Sequence, residues 1–129
     1  MSALAHVLAS RIEIRNSVFL GRVNFINSIF REPLDLSGST FRQEASFSSA
    51  TFLAMVSFAS AHFQEDALFD GTAFMKTADC SAASFQREIT FAGASINKMR
   101  LSRAQISGQL SLQNAEFNRL EARWPVLCN

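Results

Sequence analysis

The stretch FSSATFLAMVSFASAHFQEDALFDGTAF, residues 47–74, places phenylalanines at Phe47, Phe52, Phe58, Phe63, Phe69 and Phe74. The steps between them alternate between five and six residues. An α-helix turns about 100° per residue, so such steps land at about 140° and 240° and scatter the rings over two faces. A continuous strand fails too, because a step of five reverses the side chain and a step of six does not. The intervening residues are rich in Ser, Thr and Gly, which are poor helix formers.

Outside this stretch the same beat collects Ile14, Phe19, Phe25, Phe30, Leu36 and Phe41 before it. After it come Cys80, Phe85, Phe91, Ile96, Leu101, Ile106, Leu112 and Phe117, with a five replacing a six only between Ile96 and Leu101. Two residues before each centre stands a second apolar or small residue, as in Ala45, Val56, Ala67, Ala83 and Ile89, and the residue between is usually polar. Each unit therefore reads as a three-residue strand with its ends facing inward. Glycine at the second position after a centre, in Gly21, Gly38, Gly71, Gly93 and Gly108, marks a bend that needs a relaxed backbone. A short strand and a corner, repeated, make a coil whose turns must stack to bury their apolar pairs.

Taking every fourth centre sorts them into columns. Phe19, Phe41, Phe63, Phe85 and Ile106 form one; Phe25, Phe47, Phe69, Phe91 and Leu112 the next; Phe30, Phe52, Phe74, Ile96 and Phe117 the third. The fourth, Ile14, Leu36, Phe58, Cys80 and Leu101, is mixed. The larger preceding residues follow the six-residue steps, so the extra residue is expected to widen alternate corners. Any even number of sides keeps this alternation.

The segments LDLSG (34–38), ASFSSATF (45–52), ASFQREITFAGASI (83–96) and AQISG (104–108) resemble the pentapeptide-repeat proteins, whose unit is A(D/N)LxX. The resemblance runs from about Ile12 to Phe117. It implies an all-β fold, a right-handed quadrilateral parallel β-helix of about five coils. Phenylalanine largely replaces leucine at the centre, and Ser or Thr largely replace Asp or Asn before it, as in the Phe-rich branch of that family. The expected organisation is an N-terminal cap over 1–11, the β-helix over 12–117, and a C-terminal cap or dimer contact over 118–129. In that last segment Leu120, Trp124, Val126 and Leu127 could cover the final ring layer as one helical turn ended by Pro125. The rival readings are a dimer contact through the solenoid end and an excerpt of a longer solenoid.

Composition bounds the function. Across 129 residues, Lys and Arg total 12 against 11 Asp and Glu, so the net charge of +1 provides neither a basic footprint for nucleic acid nor a strongly acidic field. Two cysteines, Cys80 and Cys128, match no metal spacing and make no disulfide framework, which fits a reducing, cytoplasmic setting. No apolar run approaches the ~20 residues that span a bilayer, so a soluble chain with no membrane contact is expected.

Chemistry is thinly represented. His62 falls at an outward position, His6 in the expected cap, and Cys80 at an inward centre; no phosphate loop or nucleophile elbow is present. No catalytic residue, metal ligand or cofactor is expected, and the chain reads as a non-enzyme. Two surface columns are candidates. Glu44, Asp66 and Glu88 occupy one corner in successive coils, read either as an acidic ridge for a basic partner or as a solvated corner moderated by Arg42 and Arg87. Ile29, Leu53, Met55 and Met75 gather as an apolar patch, read either as a contact surface or as scattered exposure. The leading function is a non-catalytic protein-interaction scaffold with a protein partner and no direct nucleic acid. The alternative, implied by the resemblance, is a nucleic-acid mimic protecting a DNA-binding enzyme such as DNA gyrase.

Overall fold

The computed structural model describes residues 7–8, 11–122 and 127–128, the first and last pairs as backbone strands only. Among the described residues there is no helix, and every strand pairing is parallel. Phe41 pairs with Phe63, Ala45 with Ala67, Thr51 with Ala73 and Val56 with Ala78. Each partner lies 22 residues on, the sum of two fives and two sixes, so one coil has four sides. The chain is a β-solenoid of about five such coils.

The first face stacks Val18–Phe19, Thr40–Phe41, His62–Phe63, Ser84–Phe85, Gln105–Ile106 and Leu127–Cys128. The second stacks Val23–Asn24, Ala45–Ser46, Ala67–Leu68, Ile89–Thr90 and Leu110–Ser111. The third begins with Val7–Leu8, Ile29–Phe30 and Thr51–Phe52, and the fourth with Ile12–Glu13, Leu34–Asp35 and Val56–Ser57. These two faces then share the long strands Ala73–Asp79, Ser95–Arg100 and Glu116–Glu121, which run unbroken around the corner between them.

The break in stride has a structural counterpart. Phe74 pairs with Ile96 and Thr77 with Lys98, so Met75 and Lys76 face the single residue Asn97 and the register shifts by one. The next coil pairs Ile96 with Phe117 and Lys98 with Arg119 without a shift. The corner is narrower from Ile96 upward.

Rings fill the interior. Along the first column the centroid separations are 4.8 Å for Phe19–Phe41, 4.6 Å for Phe41–Phe63 and 4.9 Å for Phe63–Phe85, with planes within 8° of parallel. The second column stacks Phe25, Phe47, Phe69 and Phe91 at 5.3–5.6 Å, and the third stacks Phe30, Phe52 and Phe74 at 4.8–5.1 Å. Phe58, the one ring in the fourth column, stands edge-on between Phe47 and Phe69 at 5.4 Å from each. Fully buried rings each contribute about 1.5–3 kcal/mol by burial alone.

The two kinds of corner differ in backbone. After second- and fourth-column centres the chain takes the five-residue step through a β-turn, closed by bonds such as Ala50 N–H to Phe47 O and Ala61 N–H to Phe58 O, both 3.0 Å. The second residue after the centre has positive φ there: Asn16, Asn27, Gly38, Ser49, Ser60, Gly71, Ala82, Gly93, Arg103 and Asn114. The outward residue before the centre caps the turn, as Asp35 Oδ1 accepts from Ser37 N–H at 3.0 Å and Asp79 Oδ1 from Ser81 N–H at 2.9 Å. This Asx geometry is why Asp, Asn, Ser and Thr recur at that position.

Glycine placement corrects part of the sequence reading. Gly21 and Gly108 lie at the six-residue corners and do not have positive φ. Gly108 is required for a different reason, because a Cβ there would strike the backbone of Arg87, whose Cα would be 2.7 Å away. Positions 118–121 also differ from a closing helical turn. Leu120 pairs with Met99 and so continues the inward series of the fourth face, while Leu127–Cys128 pairs with Gln105–Ile106. Pro125 and Trp124 lie outside the described residues, as do most of 1–10.

A left-handed residue with a Cβ is strained by about 1–2 kcal/mol, partly offset in glycine by the entropy it loses on folding. Ala82→Gly is therefore expected to stabilise the fold by about 0.5–1 kcal/mol. Gly71→Ala, at φ +66° with its new Cβ 3.2 Å from Ser49 Oγ, is expected to destabilise by at least as much. Urea midpoints of the two variants, moving in opposite directions, are the measurement.

Candidate functional site

With the centres and their preceding residues turned inward, chemistry that meets a partner must sit on outward positions and corners. The wide corners carry most of it. On the corner between the first and second faces, Glu44, Asp66 and Glu88 lie in successive coils, because Ala45 N–H bonds to Asp66 O and Ala67 N–H to Glu88 O, at 3.0 and 2.9 Å. All three are half-buried. Asp66 Oδ1 also accepts the backbone N–H of Glu88 at 3.2 Å, which ties one carboxylate to the scaffold. Arg87 reaches Glu65 at 3.7 Å, and Asp70 accepts from Ser48 Oγ at 2.8 Å. The column of carboxylates exists, and several neighbouring charges and hydroxyls already engage it.

The opposite wide corner, between the third and fourth faces, holds Leu53, Met55 and Met75, exposed by 41%, 44% and 53%. Leu53 and Met75 occupy equivalent places one coil apart, and Met55 sits two residues along from Leu53. Ile29 faces outward on the third face but is half-buried, so it contributes less than the other three. The sequence reading did not single out Val18 and Leu20, which flank Phe19 on the first face at 53% and 67% exposure. Their signal was the replacement of the usual polar outward residue by valine.

A charge cluster was also missed. Glu121, outward on the fourth face, takes Lys98 at 3.1 Å, Arg100 at 3.3 Å and Arg119 at 3.5 Å. The hydrogen bond from Lys98 holds the Glu121 carboxyl below its ordinary value, helped by the charges of Lys98, Arg100 and Arg119 against a desolvation that opposes them. The recurrence of Lys98 and Arg119 one coil apart was visible in the sequence once the columns were extended past Phe117.

Two inward hydroxyls tie coils together. Thr72 Oγ1 donates to Phe47 O at 2.7 Å and Ser39 Oγ to Ile14 O at 3.0 Å, each reaching back to a centre of the coil before. His62 is exposed on the first face, and His6 lies outside the described residues. Among the described residues no three His, Cys, Asp or Glu side chains are placed to hold a metal ion. No helix in the structure is long and apolar enough to cross a membrane.

Residues 36–84, covering the nine centres from Leu36 to Cys80, match the family model for pentapeptide repeats in nine copies. This segment is built of pentapeptide repeats. No curated protein and no solved structure matches it.

Within these pentapeptide repeats Cys80 takes a centre that is phenylalanine in the coil before. It is buried, and burial followed by the charge of Asp79 pushes its thiol up to about 12. A thiol with a raised folded-state value adds stability that is fully present below the unfolded value of 9.0 and is lost as pH rises toward 12. In a Cys128→Ser background, Cys80 is expected to ignore a thiol reagent at pH 8 until the chain unfolds, read from the absorbance of released thiolate. The Glu121 carboxyl is expected to titrate below 4.5 by NMR, and Lys98→Met to move its midpoint upward. Its contribution to stability is then present above the unfolded value and lost as pH falls through the folded one.

Proposed function

We propose that this chain is a non-catalytic interaction scaffold, offering rigid solenoid sides to a protein partner. The observation that carries the reading is the division of labour along the chain. Inward positions are filled by stacked rings and small residues, while the outward corners vary from coil to coil. Catalysis requires ionisable or nucleophilic groups converging on a shielded site. Here the exposed charges are spread over separate corners, and the one thiol placed with its side chain is buried.

A second reading, a nucleic-acid mimic that protects a DNA-binding enzyme such as DNA gyrase, draws on the column Glu44, Asp66 and Glu88. Successive coils at about 4.8 Å give those carboxylates a regular spacing. The bond from Glu88 N–H to Asp66 Oδ1 and the Arg87–Glu65 pair weaken this reading, because the corner spends part of its charge on the scaffold itself.

Two measurements separate the readings. The purified chain is expected to capture a protein from its native cell and to rebind it when that protein is purified. Leu53→Lys with Met75→Lys is expected to weaken that rebinding at least about tenfold, as loss of an interface anchor does. Unchanged affinity would remove the apolar patch from the interaction. Gyrase supercoiling is expected to be the same with and without the chain. Inhibition of supercoiling that is relieved by Glu44→Gln, Asp66→Gln and Glu88→Gln together would favour the mimic.

A further inference from the structure

The corner between the third and fourth faces combines exposed apolar and basic side chains over several coils. Its middle coils expose Leu53, Met55 and Met75. Around them stand exposed Arg31 in the coil below, exposed Lys76 beside Met75, and half-buried Lys98 and exposed Arg119 in the coils above. The acids nearby are Glu32 at the lower end, Glu116 on the third face, and Asp35, Asp79 and Glu121 on the fourth, with Asp79 beside Arg100 and Glu121 shared by three cations. On the corner itself Arg31, Lys76, Lys98 and Arg119 stand against one carboxylate, Glu32, and the other acids lie on the flanking faces.

We propose that this corner docks an acidic segment of a partner protein that carries apolar side chains at its centre and carboxylates toward its ends. The inference rests on the scaffold reading and names the partner's chemistry. Leu53, Met55 and Met75 provide the contact that an apolar centre fills, and Arg31, Lys76 and Arg119 provide the charges that its flanks answer. The occupant is held by side chains, since the backbone here is already used coil to coil: Leu53 N–H bonds to Phe30 O at 2.8 Å and Leu34 N–H to Met55 O at 3.2 Å. From Arg31 to Arg119 the corner climbs four strand spacings, about 19 Å, which an extended segment of about six residues covers.

A second copy of the chain fits this corner poorly. Its own acidic corner has Asp66 bonded to Glu88 N–H and Glu65 paired with Arg87, and positions 42–44, 64–66 and 86–88 carry no apolar side chain to meet Leu53 and Met75.

The test is a fluorescence-anisotropy titration of the full chain with a 12-residue synthetic peptide bearing Leu and Phe at its centre and Glu on both sides. The same peptide with Lys for Glu, and phosphatidylserine vesicles, are the comparisons. The acidic peptide is expected to bind with Kd below about 100 µM at low salt and to weaken as salt is raised. The pair Lys76→Glu with Arg119→Glu, and separately Leu53→Ser with Met75→Ser, are each expected to weaken binding at least about tenfold while circular dichroism stays unchanged. No binding of the acidic peptide below about 1 mM overturns the proposal, as does equal binding by the variants or by the Lys peptide. Vesicle binding without peptide binding overturns it in favour of a membrane surface. Concentration-dependent dimerisation abolished by the same variants overturns it in favour of a second copy. A captured protein whose binding survives both variant pairs leaves the scaffold reading standing and removes this corner from it.

Discussion

Parallel strands in neighbouring coils lie about 4.8 Å apart, and that spacing is fixed by the backbone hydrogen bonds between them. Any side chain repeated at an inward position must therefore stack on its equivalent at the same interval. Phenylalanine suits this demand. Flat rings make carbon contact at about 3.5–4.0 Å, so a centroid spacing of 4.6–5.1 Å leaves parallel planes slid past one another. An offset stack is the arrangement the ring quadrupole prefers. The hydrogen-bond ladder and the ring ladder thus share a repeat, and neither is strained to serve the other.

Two corners of each coil turn tightly through a left-handed residue, and two are widened by an extra residue. This alternation separates the roles of the surface. Tight corners are occupied by the turn itself, with Asp35, Asp79, Asn24 and Thr90 bonded into it. Each wide corner leaves three positions per coil free of that duty, two on the third–fourth corner from Ile96 upward, and both candidate surfaces lie there. They stand on opposite edges of the tube, one acidic in its middle coils and the other apolar and basic. The scaffold therefore presents different chemistry to opposite sides without any change in its core.

The columns were legible in the sequence because large inward residues recur at a period that neither helix nor strand shares. The number of sides was less legible from pattern alone, since any even number preserves the alternation; the 22-residue pairing of Phe41 with Phe63 decides it. Turn chemistry was read in part. Gly38, Gly71 and Gly93 announced left-handed corners, whereas Ser49, Ser60 and Ala82 adopt the same backbone with nothing in their side chains to advertise it. Gly21 and Gly108 looked equivalent yet lie at wide corners, where close packing on the coil below matters for Gly108. Among surface residues, the carboxylate column and the Leu53–Met75 pair followed from counting. The sharing of Glu121 by three cations did not, because it depends on long side chains converging from three strand positions.

The claim beneath all of this is that rings from distant parts of the chain stabilise one another directly across coils. A double-mutant cycle on Phe41→Leu and Phe63→Leu, measured by equilibrium urea unfolding, tests it most directly, since leucine keeps an apolar centre and removes only the ring contact. The account predicts a coupling of about 0.5–1.5 kcal/mol between the two positions. Strictly additive losses, with no coupling beyond error, would contradict it.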